Sequence, residues 1–416
     1  INVYADRGVL VAIFQMRFLN KEELAYMLQK IGADKRCLPF FDNKREIKSL
    51  YLSDVDVRAA NIIKQEMLSL GGDAAVNSGA IDCSSSRSHI ILFGTKKQLL
   101  LFSDKIKAMD WWGLPEIAKE VKTAVTLLTD KPHFLKLPHG NDIELNKKTS
   151  LMGIMNLTSD SFYPESRTKI DAENIRAKAL ELMKNGADIL DIGAESTRPN
   201  AKRIPEDKEI AAISLAVKEI RNILPTTPIS IDTTRKNVAI VALEAGADII
   251  NDISGLTYEP EMAKVAADYN ALLVLMHMRG TPETMNSMCN YENLLLEISD
   301  FFEEKIEVAE AQGLKRSNII LDPGLGFAKD YSQNLCILRN LNAFDTFGMP
   351  MLIAASRKNT IGIATKSEDP KERLDGTLAV TALCSWHNID IVRVHDVAEN
   401  KRVIMMTEAI KEISHV

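Results

Sequence analysis

From Leu151 onward the chain repeats one pattern: a short apolar run, a burst of polar residues, then a stretch with helical spacing. Asp188 to Pro199, reading DILDIGAESTRP, shows it most clearly. A run that is apolar along its length and polar at its C-terminal end suits a parallel strand covered on both faces. Eight such runs occur: Leu151–Leu157, Asp188–Ser196, Ile229–Thr234, Asp248–Ser254, Leu272–Met278, Asn318–Phe327, Met351–Lys358 and Ile391–Asp396. Gly186, Gly246 and Gly313 each stop a helical stretch, and Pro205 with Glu206 and Asp207 opens one. Strands alternating with helices of this length are βαβ units. Eight units over about 265 residues predict an α/β fold, a (β/α)₈ TIM barrel spanning residues 150–416.

The runs share an echo. Gly186-Ala187-Asp188-Ile189, Gly246-Ala247-Asp248-Ile249 and Asn388-Ile389-Asp390-Ile391 each introduce a strand. Asp188, Asp248 and Asp390 then read as caps at strand starts, on the barrel face that serves stability. Three residues on from each stand Asp191, Asn251 and Arg393, predicted to share an inward facing. The polar tips add Asn156, Glu195, Thr197, Arg198, Asp232, His277, Asp322, Ser356, Lys358 and His395. Carboxylates, an amide and a lysine suit a flat heterocycle rich in donors and acceptors. Arginines, a histidine and a hydroxyl suit a polyanion. Asp191 and Glu195 read better as buried partners of a cation than as substrate contacts, because buried charges are normally paired. His277 is as readily structural as functional.

The first 130 residues have a different rhythm. Val9–Leu19 and Ser88–Gly94 read as strands; Lys21–Ile31, Asp56–Leu70, Lys97–Met109 and Pro115–Leu128 read as helices. This predicts a small α+β domain of unassigned role over 1–130, with 131–149 as a linker leading into the barrel. The formal net charge of -6 gives no electrostatic case for nucleic acid or an anionic membrane. No stretch is long and apolar enough to span a bilayer. The opening INVYADRGVLVAIF is a poor signal peptide, since Asp6 and Arg7 interrupt it and no small-residue cleavage site follows. Five scattered cysteines without a C-x-x-C pair fit reduced thiols, and so a cytoplasmic protein.

The tips, taken in order, resemble the dihydropteroate synthase family. The resemblance rests on LMGIMNLT (Leu151–Thr158) with Asp160-Ser161-Phe162, and on DIGAESTRP (Asp191–Pro199). It continues through Ser230-Ile231-Asp232-Thr233, Asn251-Asp252, Leu275-Met276-His277-Met278, Asp322-Pro323-Gly324 with Gly326-Phe327 and Lys329, Ser356-Arg357-Lys358, and Arg393-Val394-His395-Asp396. It implies a transferase of folate biosynthesis that joins 4-aminobenzoate to 6-hydroxymethyl-7,8-dihydropterin pyrophosphate and releases pyrophosphate. It implies that Asp232, Asn251, Asp322 and Lys358 pair with the pterin edge, with Met276 and Phe327 walling the ring and Arg393 stacking on it. Pyrophosphate would fall to Asn156, Arg198, Arg393 and His395, and 4-aminobenzoate to Thr197, Pro199 and Ser356. Lys358, Asp322, Arg393 and His395 are the residues it places closest to the chemistry. It further implies Mg²⁺ with Asn156 as its protein contact, and a homodimer.

The chain departs from the family pattern at two places. The loop after the first strand, Thr158–Arg167, lacks the usual glycines, and Asn359 stands where Ser is common. The first 130 residues lie outside the resemblance and show no match to the pyrophosphokinase fused to this enzyme in some organisms. Two rival readings are a methyltetrahydrofolate-dependent methyltransferase on the same barrel and a non-catalytic barrel serving as a scaffold.

Overall fold

The computed structural model describes residues 3–6, 9–12, 28, 30–32, 46–127, 132–145, 148–157, 171–195 and 204–413. The chain forms two compact units that divide between Thr126 and Leu127.

In the first unit, Lys48–Asp56, Arg87–Gly94 and Asp73–Ala75 make an antiparallel sheet in that order. Helices Val57–Ser69, Lys96–Ile106 and Leu114–Leu127 accompany it. Ile63, Met67, Ile90, Leu92, Phe102 and Val121 form its core. Asp56 caps the first helix by accepting from Arg58 N, and Gly71 follows its end with φ +75°. The α+β class was legible here, but the strand Lys48–Asp56 was not. Its pairing slips between Leu52 and Val55, where Asp54 has φ +49°, so its apolar alternation is broken. Val9–Ala12 is a strand paired with Val3–Asp6. The rest of the Val9–Leu19 strand and most of the Lys21–Ile31 helix lie outside the described residues.

The second unit holds eight parallel strands: β1 Ser150–Asn156, β2 Ile189–Gly193, β3 Ile229–Asp232, β4 Ile249–Asp252, β5 Leu272–Met276, β6 Ile319–Asp322, β7 Leu352–Ile353 and β8 Ile391–Val394. Pairing runs β6-β5-β4-β3-β2-β1-β8-β7, and a parallel bridge between Leu321 and Met351 closes the ring. This is the (β/α)₈ barrel. Its outer helices are α1 Ala172–Lys184, α2 Glu206–Ile223, α3 Lys236–Glu244, α4 Met262–Asp268, α5 Leu294–Ala311, α6 Tyr331–Arg339, α7 Asn359–Thr365, α8 Leu374–Trp386 and α9 Val397–Glu412. Each strand turns alternate side chains inward. Met152, Ile189, Ile249, Val274, Ile320, Leu352 and Ile391 therefore fill the lumen, while Leu190, Ile192, Ile250 and Leu273 pack outward with helix residues such as Val217 and Phe302.

The lower end of the lumen is plugged. A hairpin of Phe134–Leu135 and Ile143–Glu144 sends Leu135, Ile143 and Leu145 into the same cluster. The three echo aspartates work at this end. Asp188 Oδ2 accepts from Leu151 N at 2.9 Å, Asp248 Oδ2 from Ile229 N at 2.9 Å, and Asp390 Oδ2 from Met351 N at 3.0 Å. Each immediately precedes its own strand and holds an amide at the start of the neighbouring one, as the cap reading expects.

The sixth apolar run is shorter as a strand than its sequence suggests. It ends at Asp322, because Gly324, Gly326 and Ala328 take φ of +68°, +79° and +51°. These left-handed residues turn Pro323–Ala328 into a loop over the rim.

Candidate active site

Strand register brings the polar tips together. Asn156 pairs in register with Gly193, Gly193 with Asp232, and Asp232 with Asn251, so β1 to β4 end on one row. Met276 pairs with Asp322 across β5 and β6. Gly193 leaves space in that row: a Cβ there would lie 3.5 Å from Asp232 Cβ and 3.7 Å from Asn156 Oδ1. All these residues stand at the carboxyl ends of the strands, where barrels place their chemistry.

Arg393, from β8, crosses the lumen to meet them. Its Nε donates to Asp191 Oδ2 at 2.5 Å and its Nη2 to Asp232 Oδ2 at 2.6 Å. Asp191 is fully buried and also accepts from Ser230 Oγ at 2.6 Å and from Asn251 Nδ2 at 3.3 Å. Asp191 is thus the buried partner the sequence suggested. It orients Asn251 as well, because an amide that donates inward must aim its oxygen elsewhere. Burial pushes the Asp232 carboxyl up to about 7; Arg393 opposes the rise and Asp191 adds to it. Burial works against the Arg393 charge, but Asp191 and Asp232 outweigh it and hold its pKa above the usual value.

Asp322 and Lys358 form the other side. Asp322 Oδ1 accepts from Gly324 N at 2.7 Å. Lys358 donates Nζ to Leu325 O and lies 4.9 Å from the Phe327 ring centroid. Phe327 packs with Met276, Met278, Met285 and Ala328, an apolar wall next to the two charges. Burial raises Asp322 above the usual carboxylate range, opposed first by Lys358. Burial lowers Lys358 to about 8, opposed by Asp322. Gly324 is required where it stands, since a Cβ would lie 2.0 Å from His277 O.

Ser356 and His395 stand together, with Ser356 Oγ 3.0 Å from His395 Nδ1 and accepting from His395 N at 3.2 Å. Arg357 is turned away into a bidentate pair with Asp396. Thr197, Arg198 and Pro199 lie outside the described residues, as do Thr158 to Arg167.

Two networks were not read from the sequence. Arg235 donates to Glu209 Oε2 at 2.8 Å, to Ile204 O at 3.0 Å and to Glu195 Oε1 at 3.4 Å. Glu195 also accepts from Ile204 N at 3.1 Å, so it pairs with a cation as expected, but it is half-buried rather than buried. Lys329, matched only as part of a motif, is 6% exposed and stands against His277. Neither has a periodic signature; only the fold brings their partners close.

A parallel (β/α)₈ barrel whose rim joins paired carboxylates, an amide, a lysine and an arginine beside an apolar wall defines an enzyme built to hold a flat polar heterocycle. Residues 152–395 match the pterin binding enzyme family, and the chain belongs to it. The dihydropteroate synthase of Synechocystis sp. is 41% identical over 275 residues, covering 66% of this chain and 94% of that protein. The bifunctional dihydropteroate synthase/dihydropteroate reductase of Helicobacter pylori is 34% identical over 397 residues, covering 95% and 98%. That alignment is longer than the barrel, so the N-terminal residues outside the barrel resemblance also have a counterpart. The Yersinia pestis dihydropteroate synthase with a sulfonamide drug complex superimposes with a TM-score of 0.61 at 31% identity, covering 67% of this chain and 98% of that one. The Xanthomonas albilineans dihydropteroate synthase with 4-aminobenzoic acid gives 0.60 at 32%, covering 67% and 100%. Within the family the activity is that of dihydropteroate synthase, a transferase of folate biosynthesis.

Proposed function

We propose that this rim condenses 6-hydroxymethyl-7,8-dihydropterin pyrophosphate with 4-aminobenzoate through the following division of labour. The observation that carries it is the convergence of Asn156, Asp232, Asn251, Asp322, Lys358 and Arg393 on one face. Asp322, with one oxygen on Gly324 N, offers the other to the aminopyrimidinone edge. Asp232 and the Asn251 carbonyl accept from ring N–H groups, and Lys358 donates to a ring oxygen or nitrogen. Met276 and Phe327 wall the ring, and the Arg393 plane stacks on it. A site of this kind rejects analogues that lack the partner groups, because its own buried polar groups would go unpaired.

Arg393, His395, Asn156 and Arg198 take the pyrophosphate. The carbon–oxygen bond to pyrophosphate breaks, and its electron pair leaves with the phosphate. The pterin ring delocalises the positive charge left on the methylene carbon. The 4-aminobenzoate nitrogen then bonds to that carbon and loses a proton to the released pyrophosphate or to water. Thr197, Pro199 and Ser356 hold the aminobenzoate, and no covalent enzyme intermediate is needed.

Mg²⁺ belongs to this proposal. Among the described residues no group of three or more His, Cys, Asp or Glu is placed to hold a metal. The Asn156 amide oxygen is a hard donor at the rim, which fits an ion bound mainly through substrate phosphates and water. When bound, the ion neutralises charge on the leaving pyrophosphate.

The proposed homodimer rests on α8 and α9, where Trp386, Met405, Met406 and Ile410 are 54%, 61%, 63% and 47% exposed. A cytoplasmic location rests on free Cys83, Cys289, Cys336 and Cys384. No helix of the described residues is long and apolar enough to cross a membrane.

The test is dihydropteroate and pyrophosphate formation by the full chain, with and without Mg²⁺. Methyl transfer to a corrinoid in place of pyrophosphate release would move the assignment to the methyltransferase reading. One observation favours a second activity: the Helicobacter pylori relative is also named a dihydropteroate reductase, and this chain spans 98% of it. Consumption of 7,8-dihydropteroate with an added hydride donor tests for it.

A further inference from the structure

Lys329 is an amine buried among uncharged partners, and burial pushes its pKa well below the usual lysine value, opposed first by Asp322. Its Nζ lies 2.8 Å from His277 Nδ1, 2.9 Å from Phe327 O, 3.1 Å from Gly324 O and 3.3 Å from His277 O. No carboxylate among the described residues forms an ion pair with it. Burying a charge in such surroundings is costly. A methionine of similar length would fill the space without that cost.

The loop is shaped for this amine. Left-handed backbone at Gly324, Gly326 and Ala328 breaks the chain direction at every second residue. Gly324 O and Phe327 O receive Lys329, whereas Leu325 O receives Lys358. One loop is therefore gripped by two lysines through different carbonyls. Asn334 completes the grip, donating Nδ2 to Lys329 O at 3.1 Å and accepting from Gly326 N at 2.7 Å.

We propose that Lys329 is a positioning residue for the pterin: it ties the loop after β6 to the tip of β5 and so sets where the Asp322 carboxylate and the Phe327 ring stand. The inference rests on the pterin site proposed above. The links are short. Gly324, held through its carbonyl, gives its N–H to Asp322 Oδ1, and Phe327, held through its carbonyl, supplies the ring wall. His277 Nδ1 enters as a hydrogen-bond partner of the amine. Burial, reinforced by Lys329 and Arg279, lowers its pKa to about 2, so its ring stays neutral with Nδ1 facing the amine. The charged and polar groups around Asp322 are Lys358, Gly324 N–H, Lys329 and Arg393, and all four oppose the effect of burial on it.

Lys329→Met, with His277→Phe as a milder second variant, tests this in the full chain. The readouts are KM for each substrate, kcat and the thermal midpoint. Lys329→Met is expected to melt cooperatively, to raise KM for the pterin pyrophosphate about tenfold, the order of one lost buried hydrogen bond, and to leave KM for 4-aminobenzoate within about twofold. His277→Phe keeps a ring but removes one hydrogen-bond partner of the amine, so a smaller change in the same direction is expected. If Lys329→Met does not fold, His277→Phe carries the same test. An unchanged pterin KM in a folded variant, or an equal rise in both KM values, overturns the inference. Absence of dihydropteroate formation by the unaltered chain would count against the synthase reading instead.

Discussion

The rim is built to titrate, and that gives its sharpest prediction. Asp232 is raised to about 7 by burial and Lys358 lowered to about 8 by burial, so each holds its charge poorly near neutral pH. Pterin pairing in the proposed roles needs Asp232 ionised and Lys358 protonated. At pH 6 Asp232 is about nine-tenths protonated, and one pH unit corresponds to about 1.4 kcal/mol, so affinity falls roughly tenfold. At pH 9 Lys358 is about nine-tenths neutral and the loss is similar. Binding is therefore bell-shaped with its crest between pH 7 and 8. The Asp232–Arg393 bond does not prevent this, because a proton on Oδ1 leaves the 2.6 Å contact at Oδ2 intact. The assay is titration calorimetry with 6-hydroxymethylpterin, which has no phosphate to titrate, from about pH 5.5 to 9.5. Asp232→Asn should flatten the acid limb and Lys358→Met the basic one. A flat profile, or an acid limb that survives Asp232→Asn, refutes the reasoning.

The same groups fix the pH dependence of stability. Asp232 has a raised pKa, so its contribution is present below its usual 3.8 and is lost as pH rises through about 7. Lys358 has a lowered pKa, so its penalty applies below about 8 and is relieved as pH rises towards its usual 10.5. Their summed effect is least favourable between pH 7 and 8, and pterin should raise the thermal midpoint most in that window. Lys358→Ala should cost far more activity than Lys329→Ala, on the order of 100-fold or more in kcat/KM, because Lys358 faces the ring and Lys329 acts from behind it; steady-state rates of the two variants decide this. Gly324→Ala should lower stability by about 3 kcal/mol or more, since its left-handed backbone disfavours a side chain and His277 O occupies the Cβ position; chemical denaturation measures it. A barrel fragment should begin before Pro132, not near Asp142, because Leu135 belongs to the lumen plug; a fragment from Asp142 is expected to melt well below one from Pro132.

Much of this was legible because barrels write their plan locally. Every strand carries its own apolar run and its own polar tip, so eight strands and most rim residues were visible as short strings. What stayed hidden depends on backbone handedness and on distance in the chain. The Pro323–Ala328 loop looked like strand until the left-handed residues were seen. The partners of Arg235 come from α2 and from the two ends of the loop between β2 and α2, so no short window of sequence contains the network. The strand Lys48–Asp56 was lost to its bulge. The first unit yielded no chemistry because its cores and caps are those of an ordinary α+β fold.

The echo in the sequence now has a physical meaning. Asp188, Asp248 and Asp390 immediately precede β2, β4 and β8, and each secures the strand before it at the lower end. Three residues further on, Asp191, Asn251 and Arg393 meet at the upper end, Arg393 and Asn251 both bonding Asp191. Alternate strands of a barrel contribute to common layers of the lumen, which is why a repeat on even-numbered strands converges. Stability and chemistry are thus placed at opposite ends of the same strands, and they should separate on mutation. Asp248 accepts from His139 N at 3.0 Å, Gly140 N at 2.8 Å, Ile229 N at 2.9 Å and Arg221 Nη2 at 2.5 Å, and it is fully buried. Asp248→Ala leaves those donors unpaired and should cost about 3–5 kcal/mol of stability while KM values stay near those of the unaltered chain. Asn251→Ala, three residues away, should cost little stability beyond its bond to Asp191 but raise the pterin KM about tenfold or more. Denaturant unfolding and steady-state kinetics on the same two variants give the answer. If Asp248→Ala instead impairs pterin binding in protein that remains folded, the two ends of the barrel are coupled and this division of labour is wrong.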